Sequence, residues 1–292
     1  MGIYSRPVSE IIQSRFSCRT FLKEALAAEK QQKLRAFMKE LQCGPLGTAL
    51  RFELVAAEDA QRKELRGLGT YGTIRGTSGY IVGAVGPGSK NLEDFGCMLE
   101  QIVLCATDLE IGTCWLGGAF TKSGFAKKIA AKPEERLPAV VAMGMIADEA
   151  RARRAALRLS VGADSRLPWE TLFFEGSFGA SLSREKAGQY AAALEDLRLG
   201  PSASNKQPWR ICLAQDKSAF HFYLQRTKGY PGSLATTLLR IDDLQRVDMG
   251  IGMCHFELSA AELGLNGHWM VQEPPIAKPQ AGCEYTVSWF ME

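Results

Sequence analysis

The chain has 292 residues, of which 46% are apolar and 23% are charged, a composition typical of a globular protein with a full core. Its formal charge is only +3, from 35 basic and 32 acidic residues, which argues against nucleic acid as a partner. No apolar run approaches the roughly 18 residues of a membrane span, and residues 1–15 lack the apolar centre of a signal peptide, so we expect a cytoplasmic protein without a membrane partner.

The first half of the chain predicts alternating helices and strands. A short helix is expected at Val8–Ser14, followed by an extended segment over 15–21. Good helix formers over 24–42 predict a second helix, and a third over 92–109 is apolar on most faces and should therefore be buried. Strands are predicted where apolar runs are bounded by Gly or Pro, over 51–57, 80–85 and 139–146.

The second half repeats this pattern. A helix is predicted over 183–197, and a buried helix is predicted to end near Leu263. The predicted strands cover 209–214, 219–225 and 285–290. Helices that alternate with strands in this way indicate an α/β or α+β protein, in which mixed sheets pack against buried helices.

The cysteines and histidines do not indicate a metal site. None of the eight cysteines forms a C-x-x-C pair, and Cys97 and Cys105 fall within an apolar helical pattern. Reduced thiols that act as small buried hydrophobes are therefore favoured over disulfides or metal ligands. The three histidines, His221, His255 and His268, have no zinc-ligand spacing with cysteine partners.

The two halves also resemble each other directly. The segments 95–115 and 249–269 align without a gap, at a constant separation of 154 positions. The aligned pairs include Gly96 with Gly250, Ala106 with Ala260, Leu109 with Leu263, and Trp115 with Trp269. Upstream, the segment that begins at Gly44 parallels the segment that begins at Gly200. Two parallels in the same order indicate a duplicated unit, and we predict a first repeat over 1–172 and a second over 173–292.

Three stretches carry candidate binding groups. In the extended segment, Arg15, Ser17 and Arg19 project to one side, where arginine forks suit a phosphate or the edge of a heterocycle. A solvated basic face is the alternative. Gly117 and Gly118 follow the buried helix and permit close approach of a flat ligand, although a helix end with a turn would have the same composition.

The third stretch is the loop over 200–209, GPSASNKQPW, which combines turn residues with the directional hydrogen-bonding groups of Asn205 and Gln207. Four motifs then occur in a defined order: R-x-S-x-R at 15–19, L-x-I-G-T-C-W-L-G-G at 109–118, S-R-L-P at 165–168 and P-S-x-x-N-x-Q-P-W at 201–209. Together they resemble the nitroreductase family of FMN-dependent oxidoreductases. The resemblance spans nearly the whole chain.

The resemblance implies the assembly as well as the fold. In that family two identical subunits interlock, and each FMN is contacted by both. Here the first half keeps the arginine and glycine motifs, and the second half keeps the asparagine loop. The chain therefore resembles the single-chain branch of the family, in which a tandem duplication mimics the homodimer. This implies a monomer that is an internal pseudo-dimer, with one flavin site.

The same resemblance implies the site residues. They are Arg15, Phe16, Ser17, Arg19, Leu116, Gly117, Gly118, Arg166, Pro201, Ser202, Ala203, Ser204, Asn205 and Gln207. Arg15, Ser17 and Arg19 would contact the phosphate and the pyrimidine edge of the flavin, and Arg166 would pair with the phosphate. The 201–207 loop would donate hydrogen bonds from the other repeat. Residues 116–118 would lie near flavin N5. Because N5 does the chemistry, no side chain is nominated as catalytic.

The implied function is that of an FMN-dependent NAD(P)H oxidoreductase. Its partners would be small electron-poor acceptors such as nitroaromatics or quinones, reduced in a ping-pong reaction. Two alternatives remain open at this point. One is a non-catalytic FMN-binding protein, since loss of half the sites is compatible with drift. The other is a dehalogenase or flavin-fragmenting enzyme on the same scaffold.

Overall fold

The structure, a computed structural model, describes residues 4–56, 65, 68, 74–118, 120–147, 165–228, 241–277 and 282–292. Within these ranges the helices are α1 (Val8–Ser14), α2 (Ala28–Glu40), α3 (Asn91–Asp108), α4 (Lys122–Lys128), α5 (Arg184–Ala187), α6 (Ala191–Arg198) and α7 (Leu244–Glu262). The strands are β1 (Leu50–Ala56), β2 (Gly79–Val85), β3 (Gly112–Leu116), β4 (Val140–Gly144), β5 (Phe173–Glu175), β6 (Ser177–Ser181), β7 (Trp209–Leu213), β8 (Ala219–Gln225), β9 (Gly267–Met270) and β10 (Cys283–Met291).

The strands form two sheets with a shared topology. The first sheet has the order β1-β2-β4-β3 and is antiparallel. The second contains the order β7-β8-β10-β9, also antiparallel, and continues beyond β7 with β5 and β6. β5 pairs with β7 in parallel. The equivalent strand order in the two units confirms the predicted α/β class with two tandem copies; the exact boundary at residue 172 stays a prediction.

The two units pack through their central helices, α3 and α7. A Cβ atom on Gly96 would overlap the carbonyl oxygen of Val247, and one on Gly250 would overlap the carbonyl oxygen of Glu93. Gly96 and Gly250 are 154 positions apart, and so are Glu93 and Val247. The contact is therefore reciprocal, as at the twofold interface of a homodimer, and the glycines permit the close crossing of the helices.

A continuous core joins both units. One hydrophobic cluster includes Phe95 and Leu99 from α3 together with Met249, Met253 and Phe256 from α7. This confirms the prediction that both central helices are buried. All eight cysteines are free thiols, and burial raises the pKa of Cys18 to about 11, so this thiol stays neutral. Within the described ranges no helix is both long enough and apolar enough to cross a bilayer.

Several predicted elements differ from the observed ones. The helix predicted over 183–197 is interrupted by a 3₁₀ turn at Gly188–Tyr190, because Gly188 adopts a positive φ of 56°. Residues 112–116 form the edge strand β3, which the sequence did not predict. The segment predicted to be extended lies along this edge, where Ser17 forms a parallel bridge with Thr113. The edge strand thus positions the arginine segment.

Candidate functional site

A cavity of about 260 Å³ lies between the two repeats. Eight of the predicted site residues line it: Ser17, Arg19, Gly117, Gly118, Pro201, Ser202, Ala203 and Ser204. The fold therefore brings the arginine segment and the glycine pair of the first repeat to the same cleft as the loop of the second. Their contacts with a cofactor stay a prediction.

The other six predicted residues are not among those that line this cavity. Leu116 is buried in β3, and Arg15 and Phe16 line a second cavity of about 160 Å³ together with Gly112 and Thr113. The remaining three, Arg166, Asn205 and Gln207, belong to a hydrogen-bonded assembly beside the cavity. For these six residues too, the predicted cofactor contacts stay predictions.

This assembly ties the S-R-L-P segment to the loop of the second repeat. The backbone N–H of Leu167 donates to Gln207 Oε1 at 2.8 Å, and Asn205 Nδ2 donates to the carbonyl oxygen of Ser165 at 3.1 Å. Arg166 Nη2 donates to the carbonyl oxygen of Leu199 at 2.9 Å, just before the loop begins. The segment and the loop are thus positioned by each other.

The loop itself has a strained backbone. Ser204, Asn205 and Gln207 have φ values of 51°, 53° and 48°, in the left-handed region that non-glycine residues rarely adopt. Asparagine tolerates this conformation, but serine and glutamine adopt it at a cost of about 1–2 kcal/mol each. Ser202 Oγ accepts a hydrogen bond from the backbone N–H of Gln207 at 2.9 Å and helps to hold the conformation. Strain of this kind is concentrated at functional sites.

A buried aspartate of α7 anchors the same loop. Both carboxylate oxygens of Asp248 lie close to the backbone nitrogen of Ala203, at 3.0 and 3.1 Å, and accept its hydrogen bond. Asp248 also lines the cavity, and burial raises its pKa well above the usual range of an aspartate. The sequence prediction did not include this residue.

The first repeat contains the same device. Asp94 of α3, which precedes Asp248 by 154 positions, accepts hydrogen bonds from the backbone N–H groups of Leu46 at 2.8 Å and Thr48 at 2.9 Å. Burial raises its pKa as well. The sequence contained this signal, because the gap-free alignment of the two halves pairs Asp94 with Asp248 when it is extended by one residue. An aspartate shared by two repeats points to loop positioning rather than to a chemical step in one site.

The polar end of the cavity is cationic. Arg19 and Ser17 are exposed to it, and the Arg19 side chain makes no hydrogen bond or ion pair with the part of the chain that the structure describes. The backbone N–H of Cys18 donates to the carbonyl oxygen of Thr113 at 2.8 Å and fixes the segment between them. The guanidinium is therefore available to a ligand with negative charge or hydrogen-bond acceptors.

The remaining walls are apolar and close together. Trp115 contributes one wall, and Leu244, Val247 and Ile251 of α7 contribute another. A Cβ atom on Gly117 would lie 2.5 Å from Leu244 Cδ1, so only glycine allows α7 to approach this closely. A cavity with apolar walls and a cationic end suits a flat aromatic ligand that carries acceptors at one edge.

Ion pairs lock the start of α7 against the first repeat. Lys122 Nζ lies 2.6 Å from Asp242 Oδ2, and the Arg136 guanidinium contacts the other oxygen of the same carboxylate. Asp242 is mostly buried, and it lies two residues before Leu244. These contacts between the repeats hold the apolar wall of the cavity in place.

The chain matches one family model, described as "Putative TM nitroreductase", over residues 7–260. Among solved structures, a "putative nitroreductase" from Thermotoga maritima has the same fold over 100% of this chain and 96% of its own, with 17% identity and a TM-score of 0.62. A nitroreductase family protein from Clostridium novyi NT aligns with 49% of this chain and 87% of its own, at 22% identity and a TM-score of 0.41.

A "putative nitroreductase in complex with fmn" from Desulfovibrio desulfuricans aligns with 49% of this chain and 88% of its own, at 22% identity and a TM-score of 0.39. No curated protein matches the chain.

Proposed function

Because the chain belongs to the nitroreductase family described by that model, we propose that it is an FMN-dependent NAD(P)H oxidoreductase. Its substrates would be small electron-poor acceptors, such as nitroaromatics and quinones. We further propose that one chain, as an internal pseudo-dimer, forms one complete site. The observation that carries the proposal is the single cavity shared by Arg19, the glycine pair and the 201–204 loop.

The residues present fit FMN by their chemistry. The cavity offers a guanidinium and several hydroxyl groups at one end, and apolar walls elsewhere. FMN has the matching arrangement, with acceptor atoms on its pyrimidine edge, an anionic phosphate and a flat ring system. The unpaired donors of Arg19 and Ser17 would bind the acceptor edge, and the indole of Trp115 would limit the ring on one side.

FMN, when bound, supplies the transfer of a hydride from NAD(P)H and of electrons to the acceptor. The chain itself binds, orients and shields. Arg19 places a positive charge where the reduced cofactor would be anionic, which stabilises reduction. The apolar side chains of Leu244, Val247 and Ile251 exclude water from the same cavity. Donor and acceptor would use this cavity in turn, which gives ping-pong kinetics.

The test is flavin stoichiometry followed by anaerobic reduction. The protein, reconstituted with FMN and desalted, is expected to retain one FMN per chain and to lose its visible absorbance when NADH or NADPH is added. A quinone or nitroaromatic compound should restore the absorbance. Arg19→Gln should weaken FMN binding about tenfold, as expected for a charge-assisted hydrogen bond. Arg35→Gln, on the exposed face of α2, is the matched control.

Four outcomes each contradict a part of the proposal. Absence of FMN binding excludes the flavoprotein, and two FMN per chain excludes the single site. Tight FMN binding without reduction by either nicotinamide indicates a protein that only stores the cofactor. Sedimentation of the loaded protein at the mass of two chains would contradict the predicted monomer.

A further inference from the structure

A second group of charged side chains lies buried beside the cavity. The Arg15 side chain is only 7% exposed, and its Nε lies 3.8 Å from Oε1 of Glu100, which is fully buried. Arg15 Nε has no hydrogen-bond partner in the part of the chain that the structure describes. An arginine and a carboxylate this close normally form a short, hydrogen-bonded pair, often through both guanidinium branches. Arg15 Nε and Glu100 Oε1 are too far apart for such a hydrogen bond, so the pair is open.

The open pair has a structural reason, because the oxygen that Arg15 approaches has a closer partner. Glu100 Oε2 accepts a hydrogen bond from Trp115 Nε1 at 2.8 Å. Glu100 Oε1 lies 3.1 Å from Nε2 of His255, which is also fully buried and belongs to the other repeat. His255 thus lies closer to Oε1 than Arg15 Nε does, and Arg15 Nε keeps its donor.

The contacts of His255 fix the orientation of its ring. Its Nδ1 lies 2.8 Å from the carbonyl oxygen of Asp196, and because a carbonyl only accepts, Nδ1 must donate. Its Nε2 lies 3.1 Å from Glu100 Oε1, within hydrogen-bond distance. His255 therefore holds this oxygen of Glu100 from the other repeat.

His255 also lies where the arginines and the loop converge. A Cβ atom on Gly200, which begins the loop, would lie 3.7 Å from His255 Nδ1. Arg166 donates to the carbonyl oxygen of the preceding residue, Leu199. Arg15 reaches the same neighbourhood through Glu100. Both arginines predicted to bind the cofactor phosphate thus contact neighbours of His255, Arg15 through Glu100 and Arg166 through the residue before Gly200.

The equivalent positions in the other half carry no such charges. The counterparts of Glu100 and His255, 154 positions away, are Cys254 and Gln101. The tryptophan equivalent to Trp115 is Trp269, and its Nε1 donates at 3.0 Å to Glu257, a different position on its central helix. The buried contact between Glu100 and His255 is therefore specific to the side that retains the predicted arginine segment.

We propose that His255 is a positioning residue for the anion-binding end of the cofactor site. By holding Glu100 Oε1, it keeps Arg15 from closing on this oxygen and leaves the guanidinium of Arg15 available to the phosphate of the cofactor. This inference rests on the proposed function. Glu100 would then oppose cofactor binding, and His255 would suppress this opposition.

The test is a double-mutant cycle on FMN affinity, measured by quenching of flavin fluorescence in a titration of the apoprotein. His255→Leu removes the imidazole that holds Glu100 Oε1. Arg15 should then close on Glu100, and the Kd for FMN should rise about tenfold. Glu100→Gln keeps an acceptor for Trp115 but removes the charge, so the Kd should fall about threefold. The double variant should bind FMN at least as tightly as the wild type.

Glu257→Gln is the matched control, because it changes the carboxylate that accepts from the equivalent tryptophan, and its Kd should equal that of the wild type. Urea denaturation of each apoprotein separates loss of fold from loss of affinity, and if His255→Leu fails to fold, Glu100→Gln and the double variant complete the test. A wild type that fails to bind FMN defeats the proposed function. A wild type that binds, with His255→Leu unchanged or Glu100→Gln weakened, defeats this inference alone.

Discussion

The loop at 44–48 and the loop at 200–205 are equivalent parts of the two repeats, and they are held in the same way. Asp94 accepts backbone hydrogen bonds from the first, and Asp248 accepts one from the second. Their own side chains differ, because the first reads GPLGT and the second GPSASN. The aspartates thus position both loops, whereas the polar side chains that we propose to bind the cofactor occur in the second loop alone.

The segments that follow the central helices, 115–117 after α3 and 269–271 after α7, show the same difference between the two repeats. Trp115 and Trp269 both donate to a carboxylate of their own central helix. After the tryptophan, however, Gly117 packs against Leu244 beside the cavity, whereas its counterpart Val271 is 54% exposed. The duplication has therefore kept the tryptophan contact in both halves, whereas the glycine beside the cavity occurs in one.

The largest effect is expected when Gly117 is replaced by valine, the residue at the equivalent position 271. Gly117→Val would force methyl groups into Leu244, which already lies 2.5 Å from the position of a Cβ. Overpacking of about 2 kcal/mol would displace this wall of the cavity and raise the Kd for FMN about thirtyfold. The converse change, Val271→Gly, should leave the Kd unchanged. Flavin titration measures both Kd values. An equal loss of FMN affinity in the two variants would show that positions 117 and 271 do not differ in function.

A somewhat smaller effect is expected from the two aspartates. Asp248→Asn leaves a single acceptor for the N–H of Ala203 and loosens the loop, so FMN affinity should fall about tenfold. Asp94→Asn should lower the free energy of unfolding by about 1 kcal/mol and leave FMN affinity unchanged. Titration and urea denaturation of both variants test this. Loss of affinity in Asp94→Asn would refute the separation of the two loops.

Asp248 should also make the stability of the protein depend on pH. Burial raises the pKa of Asp248 above its unfolded value of about 3.9, so its contribution to stability is complete below this value and is lost as the pH rises through the folded pKa. Between the unfolded and the folded pKa, the unfolding free energy of the wild type should fall as the pH rises. Asp248→Asn should make this fall smaller by up to about 1.4 kcal/mol per pH unit. Parallel curves for variant and wild-type apoprotein would contradict the raised pKa.

The smallest effect concerns the strained backbone of the loop. Ser204→Gly relieves a positive φ of 51° and should raise the free energy of unfolding by about 0.5 kcal/mol, after the greater flexibility of glycine in the unfolded chain is subtracted. Ser202 has an extended φ of −146°, so Ser202→Gly should instead lower stability by about 0.5–1 kcal/mol. Chemical denaturation distinguishes the two signs, and the same sign in both would exclude strain at Ser204.

Much of the fold could be predicted because its signals are local. The helix Val8–Ser14 and the strand Ala219–Gln225 have the predicted bounds, since apolar periodicity reports directly on which face is buried. Short elements such as β3, β9 and α4 were missed, because four to seven residues contain too few turns or alternations to establish a period.

By itself the sequence determined the duplication, the two buried central helices and the motifs that resemble a flavin site, because each of these is legible within a segment or by aligning the chain with itself. Only the tertiary structure decided that Asp248 anchors the loop, that α7 forms a wall of the cavity, and that His255 meets Glu100 across the repeats. These contacts join residues distant in the chain, and burial and proton positions depend on everything packed around a group, which no local pattern encodes.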